Sequence, residues 1–219
     1  MNDERLEERA STIRPATLLT RSKSLLHAVK ADLRANVPDA RGLYGWAWSL
    51  AFSQGFQAVL VHRAAHSLLK RGSGFKFLAR VLSSSNAKLF GVYIDPEVLI
   101  GPGLAMPHPV GIVIGMGAVI GERATIYQNV TIGQAGKGEP RYPRLGNCVT
   151  LYTGAVVIGD IDVGDEVVVG ANSVVLHSVS RGQHVAGAPA RSLSSRPGTT
   201  TRRARAGDGS DGPPNGRAL

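Results

Sequence analysis

Residues 145–175, broken every six, read LGNCVT LYTGAV VIGDID VGDEVV VGANSV V. The first column is aliphatic throughout: Leu145, Leu151, Val157, Val163, Val169 and Val175. Glycine follows it at Gly146, Gly164 and Gly170. A period of six fits neither a helix of 3.6 residues per turn nor the two-residue alternation of a strand. It fits a solenoid in which each six residues make one short strand and a turn. Three such sides close a coil, and the aliphatic residues stack down its axis.

The same period runs upstream through Ile94, Ile100 and Met106, then through Ile114, Ile120, Ile126 and Ile132. Gly101, Gly115, Gly121 and Gly133 follow directly behind members of this column. Two breaks interrupt it. The step from Met106 to Ile114 is eight, so Pro107-His108-Pro109-Val110-Gly111 inserts two residues. The step from Ile132 to Leu145 is thirteen, so the segment from Gln134 to Pro143 leaves the coil as a loop. Insertions in a solenoid map to its outer face and tend to carry function. His108 lies in the first break, and Lys137, Arg141 and Tyr142 lie in the second.

Around this block the composition changes. The chain has 219 residues, enough to bury a core without disulfides. Residues 1–16 alternate acidic and basic side chains with no apolar run, and are expected to be disordered. Residues 17–91 are expected to be helical. One run carries Leu18, Leu19, Leu25, Leu26, Val29 and Leu33 and stops at Val37-Pro38; a second extends from about Leu43 to Lys70; a third covers Phe75 to Leu82. Residues 92–191 form the repeat domain, and residues 192–219 form a disordered basic tail rich in Gly, Pro, Ser, Thr and Arg. The fold class expected is therefore α+β, with helices preceding a parallel β-solenoid.

Gly42 to Val61 contains no charged residue over the length of a membrane span. Ser49, Ser53, Gln54 and Gln57 along it favour a buried amphipathic helix instead, with no transmembrane span. The single cysteine, Cys148, excludes a disulfide framework and any cysteine-based zinc site, which points to a reducing, cytoplasmic setting. Cys148 falls inside a repeat and is expected to be a small buried hydrophobe. His62 and His66 have the spacing of a helical metal pair, but Arg63 stands where a zinc hydrolase needs Glu. A packing role is expected for both, and no metal.

The net charge is +9, from 25 Lys and Arg against 16 Asp and Glu. Arg191, Arg196, Arg202, Arg203, Arg205 and Arg217 concentrate it near the C-terminus, without an interleaved aromatic after Tyr152. Neither stacking platforms nor a groove-reading helix accompany them, so no nucleic-acid partner is expected.

Three motifs carry a family resemblance: HPVGIVIG (His108–Gly115), VTIGQAGKG (Val130–Gly138) and AGAPAR (Ala186–Arg191). With the helical segment VHRAAHSLL (Val61–Leu69), the chain resembles the left-handed parallel β-helix acyltransferases, and most closely the bacterial serine O-acetyltransferases. That resemblance implies acetyl transfer from acetyl-CoA to an alcohol, as a step of cysteine biosynthesis. An alcohol is a poor nucleophile near neutral pH and needs a positioned base. His108 matches the family's catalytic histidine.

The resemblance also implies that Gly133, Gln134, Ala135, Gly136, Lys137, Thr153 and Ala171 bind the CoA, and that Arg141 and Tyr142 bind the acceptor. It implies a homotrimer or a dimer of trimers, with His108 of one chain facing the excursion loop of another. Docking to cysteine synthase is a further implied partner; the chain ends in Leu219, where docking members usually end in Ile. Three departures stand out. Pro107 replaces an Asp, Tyr93 replaces the carboxylate that orients the histidine, and Tyr142 replaces a second histidine. They predict weak binding of a free amino acid, and leave two alternatives open: an O-acetyltransferase for a sugar or secondary-metabolite hydroxyl, and a non-catalytic β-helix scaffold. Asp95, two residues on from Tyr93, is expected either to orient His108 in its place or to start the turn before Pro96.

Overall fold

The computed structural model describes residues 24–38, 42–136 and 141–193. The expected disordered segment 1–16, the tail beyond Leu193 with its C-terminal Leu219, and Lys137 lie outside the described residues.

Four helices come first. Ser24 caps α1 (Leu25–Asn36), its side chain accepting from the His27 N–H at 3.3 Å. The helix ends where Val37-Pro38 predicts. The uncharged run is two helices rather than one, α2 (Gly42–Phe52) and α3 (Gln54–Leu69). Ser53 breaks it, because its side chain caps α3 by accepting from the Phe56 N–H at 3.4 Å. The expectation of one buried amphipathic helix is also corrected for α2, where Leu43 is 91%, Tyr44 77% and Phe52 65% exposed. No helix among the described residues is long and apolar enough to cross a membrane.

A 3₁₀ turn (Ser73–Phe75) leads into α4 (Lys76–Phe90), which runs eight residues past the expected end at Leu82. The polar run after Leu82 continues the helix because its side chains find partners. The Ser83 hydroxyl donates to the Ile94 carbonyl at 2.5 Å, Ser85 to Val81 at 2.9 Å, and the Asn86 amide to Ala58 at 3.2 Å. Gly91 closes α4 in the left-handed region at φ 67°.

From Val92 the chain winds through three parallel sheets in turn. One side holds β1 (Val92–Ile94), β3 (Ile112–Ile114), β6 (Thr131–Gly133), β9 (Val156–Ile158) and β12 (Val174–Val175). The second holds β2 (Leu99–Ile100), β4 (Val119–Ile120), β7 (Arg144–Leu145) and β10 (Asp162–Val163). The third holds β5 (Thr125–Ile126), β8 (Thr150–Leu151), β11 (Val168–Val169) and β13 (His184–Gly187), closed by the antiparallel β14 (Ala190–Ser192). The AGAPAR motif makes this last hairpin, so Ser192 belongs to the fold and not to the tail.

Register reports the coil length directly. Ile114 pairs with Ile132, and Val157 with Val175, eighteen residues on, which is three hexapeptides. Ile94 pairs with Ile114 and Ile132 with Val157, so the two breaks lengthen their coils by two and seven residues. Of the hexapeptide column only Ile100 is half-buried; the rest is buried. A second inward column, two residues ahead of the first, includes Val98, Ala118, Ala124, Ala155 and Val167. Gly101 shows why glycine follows the column: a Cβ there would stand 2.7 Å from the backbone nitrogen of Glu122 on the next coil.

Cys148 is a half-buried corner residue and not a core hydrophobe. Its φ of 56° puts it in the left-handed turn column with Arg123 and Glu166, and Arg123 Nε donates to its Sγ at 3.3 Å.

The helices are fastened to the coil by a buried ion pair. Arg63 on α3 meets Asp32 on α1 through Nε–Oδ2 at 2.9 Å and a second contact at 3.2 Å. The guanidinium also donates to the Ile100 and Gly101 carbonyls, while Asp32 Oδ1 accepts from the Gly103 and Leu104 N–H groups at 2.8 and 3.0 Å.

His62, one position away, is buried with Nδ1 unpartnered. Burial above all, with Arg63 and His66 nearby, pushes its pKa down to about 3. The unfolded chain therefore binds a proton that the fold refuses between about pH 6.5 and pH 3. Stability is expected to fall with pH across that window, by at most about 1.4 kcal/mol per pH unit for this group. Denaturant titrations from pH 7 to pH 4 check it: a His62→Phe variant should show a flatter slope.

Candidate active site

The first insertion leaves the coil at the corner between the third and first sides. Gly111 must turn back sharply there: its φ is 70°, its N–H donates to the Gly91 carbonyl at 2.9 Å, and a Cβ would collide with the Asn129 side chain. The Val110 N–H donates to the His108 carbonyl at 2.8 Å, which tightens the insertion and leaves the His108 side chain exposed. His108 borders a cleft of about 260 Å³ whose other wall is Asn36 on α1 and Phe52, Ser53, Gln54 and Gly55 at the α2–α3 junction.

Asn36 clamps the strand leading to His108. Its amide donates to the Leu104 carbonyl at 2.8 Å, and its oxygen accepts from the Met106 N–H at 2.9 Å. Gly55 lets α3 approach, since a Cβ there would overlap the Met106 carbonyl. Removing the clamp leaves buried backbone groups unpaired, at about 1–3 kcal/mol. Asn36→Ala is thus expected to lower stability by that amount and to lower kcat more than KM for either substrate; thermal melts and steady-state kinetics check it.

The second insertion leaves from the corner between the first and second sides. The Tyr142 ring lies over the turn around Met116, so close that a Cβ at Gly117 would stand 2.7 Å from it. Arg141 pairs with Asp160 at 3.1 Å, and Arg144 bridges Asp160 at 3.2 Å and Asp162 at 2.8 Å. Arg141, Tyr142, Arg144 and Asp160, with Glu97, Met116 and Gly117, line a cleft of about 420 Å³.

Within one chain the two clefts are separate. Arg141 and Tyr142 share the second; Pro107 and His108 share the first. The CoA candidates divide likewise. Gly133 ends β6 and Gln134 to Gly136 follow it, at the corner of the excursion loop, where a Cβ on Gly133 or Gly136 would meet open space. Thr153 and Ala171 stack at the corner of the first insertion, one coil apart, linked through the Asn172 N–H to the Thr153 carbonyl at 2.8 Å.

Asp95 is buried, and its carboxylate accepts from the Glu97 N–H at 2.9 Å and from the Tyr93 hydroxyl at 3.4 Å. No hydrogen bond joins it to His108 among the described residues, so in a single chain Asp95 serves the turn. Burial, followed by the Asp95 charge, pushes the Tyr93 phenol up. Sequence reasoning missed Asn36, Glu97 and Asp160. Only Asn36 left a trace, as part of the helix stop before Pro38.

Comparison with known proteins leads to one group. The Helicobacter pylori (strain J99) serine acetyltransferase is 44% identical over 140 residues, which cover 64% of this chain and 81% of that protein. The chain belongs to the serine acetyltransferase family. The Synechococcus elongatus serine acetyltransferase is 41% identical over 138 residues, 63% of this chain and 56% of that longer protein. Among solved structures, the Neisseria gonorrhoeae serine acetyltransferase superposes with a TM-score of 0.70 at 34% identity, covering 77% of this chain and 64% of that one. Soybean serine acetyltransferase complexed with serine gives 0.71 at 38% identity, covering 78% and 70%. No protein-family model matches the sequence.

Proposed function

We propose that this protein transfers the acetyl group of acetyl-CoA to the hydroxyl of L-serine, giving O-acetylserine and free CoA. The 44% identity to a serine acetyltransferase over four fifths of that protein carries the reading. His108 is the general base: its imidazole takes the serine hydroxyl proton as the oxygen attacks the thioester carbonyl. The tetrahedral intermediate then expels the thiolate, which takes the proton back from His108. Gly133, Gln134, Ala135 and Gly136 offer backbone N–H groups beside the thioester, Lys137 meets a CoA phosphate, and Thr153 and Ala171 line the pantetheine arm. Arg141 binds the acceptor carboxylate by a forked contact. Thiol release in the presence of acetyl-CoA and L-serine, homoserine or sugars tests the reading. Sugar turnover without serine turnover would replace it with the alternative that Tyr93 and Pro107 favour.

The reading includes a left-handed winding of the coil and a homotrimer in which the site closes between chains. His108 and Arg141 leave one chain at different corners, so the base of one prism and the acceptor residues of its neighbour make one site. Mixed trimers test this. His108→Ala and Arg141→Ala are each expected to be inactive. Co-refolded in equal amounts, they are expected to recover roughly a quarter of wild-type activity, because one in four neighbour pairs then carries both residues. No recovery would place both residues in one chain's site.

A further inference from the structure

Resting on that reading, we propose that Glu97 recognises the α-ammonium of the acceptor, opposite Arg141, and so makes the second cleft specific for a zwitterionic amino acid. The family resemblance expects carboxylates at the positions of Tyr93 and Pro107, and this chain has neither. The Tyr93 hydroxyl is turned to Asp95. Yet the 420 Å³ cleft that holds Arg141 and Tyr142 is lined by two other acids, Glu97 and Asp160.

The two acids are not equivalent. Asp160 has one oxygen on Arg141 and the other on Arg144, and Arg144 is shared with Asp162. Its charge is thus already offset by two guanidiniums. Glu97 is exposed, and among the described residues no cation pairs with it. Its backbone is nonetheless fixed. The Asp95 carboxylate holds the Glu97 N–H, and the Val98 N–H that follows donates to the Asp95 carbonyl at 3.1 Å. Val98 is fully buried in the coil, so the turn cannot drift. A carboxylate on a rigid turn therefore faces the same cleft as an arginine. That pairing of opposite charges matches an α-amino acid, whose ammonium and carboxylate share one carbon. An exposed glutamate also loses little hydration when an ammonium approaches it.

L-serine and 3-hydroxypropionate carry the same hydroxyl and carboxylate and differ only in the ammonium. Thiol release with each, for the wild type and for Glu97→Gln and Glu97→Asp, tests the proposal. The wild type is expected to prefer serine. Glu97→Gln should cut the serine to 3-hydroxypropionate ratio of kcat/KM by roughly 10- to 100-fold, the worth of one charged hydrogen bond. The loss should lie in KM for serine, with KM for acetyl-CoA unchanged, and Glu97→Asp should restore part of it. An unchanged ratio in Glu97→Gln, or equal wild-type turnover of both acceptors, overturns Glu97 as the ammonium site while leaving acetyl transfer intact. A wild type that acetylates neither acceptor overturns the serine reading itself, and the proposal with it.

Discussion

Replacing His108 by alanine is expected to lower kcat for acetyl transfer by about 10²- to 10⁴-fold, the usual worth of a general base. KM for acetyl-CoA should stay within a small factor, because the imidazole acts on the acceptor hydroxyl and is not among the candidate CoA residues. Folding should be untouched: His108 is exposed, and the insertion is held by backbone bonds from Val110 and Gly111 rather than by the imidazole. Steady-state kinetics with a thiol reagent, beside a thermal melt, check both halves. Wild-type turnover in the variant would remove His108 as the base, and the proposed mechanism with it.

Arg63→Ala is expected to give the largest loss of stability, about 3–5 kcal/mol, because it leaves the buried Asp32 carboxylate without its cation. For a chain of this size that corresponds to a fall of roughly 6–20 °C in Tm. The Ile100 and Gly101 carbonyls lose their donors in the same step. Arg63→Lys should fall between the two, since an ammonium keeps the charge but cannot reach Asp32 and both carbonyls in one plane. Denaturant midpoints for the three proteins check the order. An Arg63→Ala variant as stable as the wild type would mean that apolar packing and the Asn36 and Ser83 hydrogen bonds hold the helices to the coil without the ion pair.

The coil was legible because its signal is local and repeated. Each hexapeptide buries its first aliphatic residue whatever its neighbours do, so Leu145 to Val175 can be read without any knowledge of contacts. The breaks at Pro107 and Gln134 were legible for the same reason, as departures from a strict period, and the register shows coils longer by two and seven residues at those places. The helices were less so. The run from Gly42 carries no charge to mark a face, and only the capping geometry of Ser53 divides it. Cys148 read as a core residue because corner and column positions both tolerate small side chains; its positive φ belongs to the turn and leaves no mark in composition.

The amino-acid sequence by itself thus determined the repeat and its two interruptions, because periodic burial and turn residues are encoded within six positions. Tertiary structure alone decided that Asp32 and Arg63, thirty-one residues apart, form one buried pair, and that Asn36 clamps the strand beside His108. It alone set Glu97 in the cleft of Arg141 and separated that cleft from His108. The physical reason is the same in each case. A buried charge or an unpaired backbone group is stable only beside a partner, and nothing in the local sequence says which distant residue the fold brings to it.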